Sequence, residues 1–64
     1  MEEWQERVKA ERDNLRDKID RLYTFLSSDA RMPLSDRDRS LLRMQGAVMT
    51  LYCQILEERI DSWG

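Results

Sequence analysis

The sequence predicts an all-α protein: an antiparallel hairpin of two helices, about residues 2–27 and 36–62, that joins copies of itself in a homo-oligomeric helical bundle. Three observations predict it. Apolar residues recur at helical spacing in both segments, and the single proline, Pro33, stands in the polar stretch between them. The second segment also carries more apolar surface than one partner helix can cover.

In helix 1, Val8, Leu15, Ile19, Leu22 and Leu26 stand 7, 4, 3 and 4 residues apart, the stripe of an amphipathic helix. Charges fill its other faces. Asp17–Arg21 and Arg16–Asp20 are spaced for ion pairs worth roughly a few tenths of a kcal/mol each. The helix is expected to stop near Ser27 or Ser28, because the stretch SSDARMPLS disfavours continuation, with room for one extra turn over 29–32. Ser35, with Asp38 three residues on, approximates a capping box. Asp36 and Asp38 suit the positive end of the helix dipole. At about 1.5 Å per residue each helix is roughly 35–40 Å long, and a short connector folds the pair into a hairpin, one domain over 1–64.

Helix 2 contains LLRMQGAVMTLYCQIL, in which eleven of sixteen residues are apolar. In steps of seven, Leu42, Met49, Leu56 and Trp63 form one column, and Leu41, Val48 and Ile55 the next. Gly46, Cys53 and Ile60 form a third, Met44 and Leu51 a fourth, leaving Arg43, Thr50, Gln54 and Glu57 as the polar strip. One partner helix covers an arc of about 100°. The apolar arc is far wider, and left bare it would form an aggregation-prone patch. Other copies of the chain are expected to cover it, with Gly46, Met49, Leu56 and Trp63 at the interface. A mid-helix glycine costs about 1 kcal/mol against alanine, so Gly46 is read as the place where another helix passes close by.

The totals agree. A 64-residue chain buries only about 60% of its unfolded surface. One cysteine and no histidine leave neither an internal disulfide nor the commonest metal ligand, so self-association is the remaining support. Net charge −2 and pI ≈ 5.0 oppose binding to duplex nucleic acid. The start MEEWQERVKAERD has no apolar run for a secretory signal, and nothing approaches the roughly 18 apolar residues of a membrane span. The lone apolar-flanked Cys53 fits a reduced, cytoplasmic setting.

Catalysis is not expected, nor a cofactor or metal. There is no Cys–His or Ser–His arrangement, the two glycines, Gly46 and Gly64, make no phosphate loop, and no cluster suits a metal. One column of helix 1 is odd for a solvated face: Trp4, Glu11, Lys18 and Phe25, in steps of seven. Trp4 and Lys18 lie roughly 21 Å apart on one helix and cannot hold one small ligand in cis. Where two helices 1 meet antiparallel, Trp4 of one chain approaches Lys18 of another, giving an aromatic wall beside a cation, suited to bases and phosphates. The pattern equally allows Trp4 as a staple against the chain end, with Lys18 solvated. Arg12, in the apolar seam, either fixes register, snorkels or points into a shared site. Tyr23 and Tyr52 read as core-edge residues, Arg59 as a cation at the negative dipole end, and Cys53 as a small buried apolar residue.

The stretches ERVKAERDNLRDKIDRLYTFL and PLSDRDRSLLRMQGAVMTLYCQILEERI resemble the small phage proteins that antagonise CBASS immunity by sequestering cyclic-oligonucleotide messengers. The similarity is to the short branch from T-even-like and crAss-like phages. It covers nearly the whole chain, and its least generic positions are Arg7, Glu11, Lys18, Gln45 and Arg59. The resemblance implies a homohexamer of helical hairpins in the cytoplasm of an infected bacterium. It implies capture, without cleavage, of cyclic dinucleotides such as 3′,3′-cyclic GMP–AMP between protomers. By that likeness Trp4 stacks on a base, Lys18 meets phosphate, Arg7 assists, and Arg59 serves a separate cyclic-trinucleotide site. The family's stacking residue is a tyrosine, where this chain has Trp4. The rival expectation is an oligomeric adaptor that binds a host protein through helix 2.

Overall fold

The computed structural model describes residues 2–27 and 34–63. These residues form two helices, α1 (Glu3–Ser27) and α2 (Asp36–Asp61), packed as a hairpin. The extra turn expected over 29–32 lies outside the described residues.

Each helix starts where its sequence supplies a cap. The Glu2 backbone N–H donates to Gln5 Oε1 at 2.8 Å, while the Gln5 and Glu6 N–H groups donate to the Glu2 carbonyl. Glu3 and Glu6 then place negative charge in the first turn of α1. Ser35 caps α2 as its sequence predicted: its backbone is extended and its hydroxyl accepts from the Asp38 N–H at 3.1 Å. At the far end, the Ser62 N–H donates to the Glu58 carbonyl and the Ser62 hydroxyl to the Arg59 carbonyl.

Two heptad stripes face each other along a rod 46 × 15 × 14 Å in extent. The inner stripe of α1 runs Val8, Arg12, Leu15, Ile19, Leu22 and Leu26, all buried or half-buried. That of α2 runs Leu42, Gly46, Met49, Cys53, Leu56, Ile60 and Trp63, likewise withdrawn from water. Leu56 is the most enclosed, at 0% exposed, and burying such a side chain contributes about 1.5–3 kcal/mol. The pairing is antiparallel. Trp4 of α1 meets Trp63 beyond the end of α2, with ring centroids 5.1 Å apart in a T-shaped contact. Arg16 reaches Glu57, and Leu22 and Tyr23 pass over Gly46.

Arg16 does not take the Asp20 partner its spacing offered. A carboxylate on the opposite helix offers it two hydrogen bonds, so it turns to Glu57. Asp17 and Arg21 do pair, at 2.9 Å.

The close approach expected at Gly46 is present, and the helix that makes it is α1 of the same chain. A methyl group there would stand 3.0 Å from Tyr23 Oη and 3.3 Å from Leu22 Cδ2. Gly46 and Leu56 are therefore occupied within the hairpin, because the inner stripe of α2 faces α1. The large non-aromatic apolar residues of α2 left to water are Leu41, Met44, Val48, Leu51 and Ile55, at 46–67% exposed. They are spaced 3, 4, 3 and 4 apart, a second a/d seam with no partner among the described residues.

Candidate functional site

Helical periodicity places residues one position before the inner stripe on one flank of the rod and residues one position after it on the other. On the first flank, α1 presents Trp4, Arg7, Glu11, Asn14 and Lys18, and α2 presents Tyr52 and Arg59. Arg7, Ala10, Glu11, Asn14, Leu15, Lys18 and Tyr52 line an open groove of about 370 Å³ there.

Two features define its chemistry. Among the described residues, no ion pair holds Arg7 or Lys18, so both charges are available to an anion. They stand eleven residues apart, about 16 Å along the helix, one at each end of the groove. Between them the Tyr52 hydroxyl donates to Glu11 Oε2 at 2.5 Å, tying α2 to α1 across the groove. That hydrogen bond holds the phenolic proton and pushes the Tyr52 pKa upward, helped by burial and by the Glu11 charge and opposed by Arg59. Tyr52 is still 41% exposed, so its side chain is partly open to water where it lines the groove.

The four ligand-binding candidates from the sequence thus share one flank, but only Arg7 and Lys18 line the groove. Trp4 stands in the Glu11–Lys18 column one heptad further toward the N-terminus, its ring engaged by Trp63. This is the staple arrangement that its position allowed, and Trp4 remains 46% exposed. Arg59 is one heptad beyond Tyr52, and with Tyr52 level with Glu11 this register sets Arg59 level with Trp4. Tyr52 is the groove residue that sequence reasoning missed as a site candidate. Its heptad relation to Arg59 was the available signal, but nothing in the spacing tied it to Glu11.

The opposite flank is closed by charge. Arg16 Nε donates to Glu57 Oε1 at 2.9 Å and Arg16 Nη2 donates to the same oxygen. The pair lowers the Glu57 pKa and raises that of Arg16. Cys53 lies beneath, 6% exposed, its Sγ 3.7 Å from Glu57 Oε1. Burial, then the Glu57 charge, pushes its thiol pKa upward, which suppresses thiolate chemistry. Arg12 lies in the seam, as expected, and turns its Nε to Asp13 at 3.1 Å. Among the described residues no group of His, Cys, Asp and Glu could hold a metal ion, and no helix is long and apolar enough to cross a membrane.

Residues 2–62 match the family model described as Sequestin. No curated protein and no solved structure matches the chain.

Proposed function

The chain belongs to the Sequestin family, whose name fits a sequestering protein, and from that premise we propose that it is a phage anti-CBASS protein that captures cyclic dinucleotides without cleaving them. The observation that carries the reading is the groove on one flank of the hairpin, lined by the cations Arg7 and Lys18, neither of which makes an ion pair among the described residues. Cations without internal partners attract phosphate, and they hold it best where walls exclude water. The likeness of ERVKAERDNLRDKIDRLYTFL to the cyclic-nucleotide sponges supplies the ligand class, 3′,3′-cyclic GMP–AMP being its representative.

Capture of this kind uses several identical sites per assembly. The unpartnered seam of Leu41, Met44, Val48, Leu51 and Ile55 supports assembly of the chain, as a hexamer by the same likeness. Leu41, Val48 and Ile55 lie on the groove flank of α2, in the set that also contains Tyr52 and Arg59. Where α1 of a second copy lies antiparallel beside the groove, its Trp4 would come toward Lys18 and the ligand. Arg59, beside the groove, is assigned to a second site for cyclic trinucleotides. The place of action is the cytoplasm of the infected host, where free messenger would fall below the threshold of its effector.

Titration calorimetry of the purified protein against 3′,3′-cyclic GMP–AMP, with linear GMP as control, tests this. Tight binding at a fixed fraction of a site per chain is expected. Heat from neither this ligand nor cyclic trinucleotides would reject capture. The exposed α2 seam would then favour the second reading, an oligomeric adaptor for a host protein.

A further inference from the structure

We infer that Tyr52 is the surface on which a base of the captured nucleotide stacks, and that Glu11 is the positioning residue that holds it there; this rests on the capture reading above. The ring that lines the groove is that of Tyr52, since Trp4 is turned onto Trp63 at the end of the rod. The other apolar lining, Ala10 and Leu15, offers no π face. Tyr52 comes from α2, whereas Arg7 and Lys18 come from α1, so an aromatic ring and two cations line one groove from different helices. A flat ring opposite cations is how nucleotides are distinguished from other small phosphates: the ring stacks on the base while the cations meet phosphate.

A stacking ring must not swing. A half-exposed tyrosine on a helix flank normally samples several rotamers. Here the Tyr52 hydroxyl is fixed to Glu11 Oε2, across two helices and 41 residues of sequence. The tie uses the hydroxyl, and the side chain keeps 41% of its surface exposed. A carboxylate oxygen accepts and cannot hold a phosphate oxygen, so Glu11 acts through Tyr52.

The test is binding of 3′,3′-cyclic GMP–AMP by calorimetry, together with the proton NMR shifts of its base protons, in wild type, Tyr52→Leu, Tyr52→Phe and Trp4→Leu. Stacking is worth about 1–3 kcal/mol per base, so Tyr52→Leu is expected to weaken binding at least about fivefold. It should also abolish an upfield ring-current shift of the base protons. Tyr52→Phe keeps the ring and loses the tie: the shift persists while affinity falls about two- to tenfold, the worth of one hydrogen bond. Circular dichroism checks that the hairpin is intact, as expected for a partly exposed position. Unaltered affinity and shift in Tyr52→Leu, or loss of the shift in Trp4→Leu alone, would overturn the assignment. No heat and no shift in wild type would instead reject capture itself, and this inference with it.

Discussion

The guanidinium of Arg16 closes on one carboxylate oxygen of Glu57 through both Nε and Nη2, joining the helices on the flank opposite the groove. The pair holds the Glu57 pKa below its ordinary value, chiefly through the Arg16 hydrogen bond. A carboxylate whose folded pKa is depressed adds stability above its unfolded pKa, near 4.3. That stability is lost as pH falls through the lower folded value. Wild type should therefore lose more thermal stability than Glu57→Gln as pH drops from about 5 to about 3. Both side chains reach water, so the difference should shrink in high salt. Melting curves across pH, at two ionic strengths, check this. Parallel profiles for the two proteins would mean that the pair contributes nothing.

Gly46 predicts a size-dependent response. Glycine costs about 1 kcal/mol against alanine in a helix interior, so Gly46→Ala gains that propensity. Against it, the new methyl meets Tyr23 Oη at 3.0 Å and Cζ at 3.1 Å, the far end of a partly exposed side chain that can yield. The two effects nearly offset, and the change in stability should stay within about 1 kcal/mol. Gly46→Leu cannot be accommodated by moving one phenol ring, because Leu22 Cδ2 also stands at 3.3 Å. It should force the helices apart and cost about 1–3 kcal/mol or more. Urea titrations followed by circular dichroism separate the two cases.

Leu56 and Val48 lie eight residues apart on the same helix and should fail in different ways. Leu56 is wholly enclosed by the hairpin, so Leu56→Ala should cost about 2–5 kcal/mol, a large share of the total for so short a chain. Its loss should appear in helix content at any protein concentration. Val48 is 67% exposed in the hairpin and belongs to the unpartnered seam. On the assembly proposed above, Val48→Glu should lower the mass measured by light scattering and make helicity depend on protein concentration, because the support lost would be intermolecular. A monomeric wild type would remove the seam from any assembly.

The helices, their limits and the Ser35 cap were legible because each depends on local signals: a period near 3.6, a proline, a serine three residues before an acid. The packing of α2 was half legible. Its columns carried the information that two apolar seams exist, but nothing in a list of columns says which seam the partner helix takes. That choice is made by the register of α1, which puts Leu22 and Tyr23 over Gly46 and leaves the Val48 seam outside. At the site, Arg7 and Lys18 were legible as cations on one face of α1. Tyr52 was not, because its relation to Glu11 spans 41 residues and exists only once the hairpin closes. Trp4 admitted two readings, and within the chain its ring is on Trp63.

The groove cations give the most direct prediction about function. On the capture proposed above, Lys18→Ala and Arg7→Ala would each remove one charge-assisted contact to phosphate, worth about 1.5–3 kcal/mol, so each should weaken binding of 3′,3′-cyclic GMP–AMP roughly tenfold to a hundredfold. Neither side chain holds the hairpin together, since among the described residues neither makes an ion pair. Helicity and oligomeric mass should stay as in wild type, which separates a lost contact from a lost fold. Lys18→Arg should recover part of the affinity, because charge is kept while the reach and shape of the head group change. Calorimetry on the four proteins decides the matter: a Lys18→Ala protein that binds as tightly as wild type would remove Lys18 from the site, and the same result for Arg7→Ala would leave the groove without its electrostatic basis.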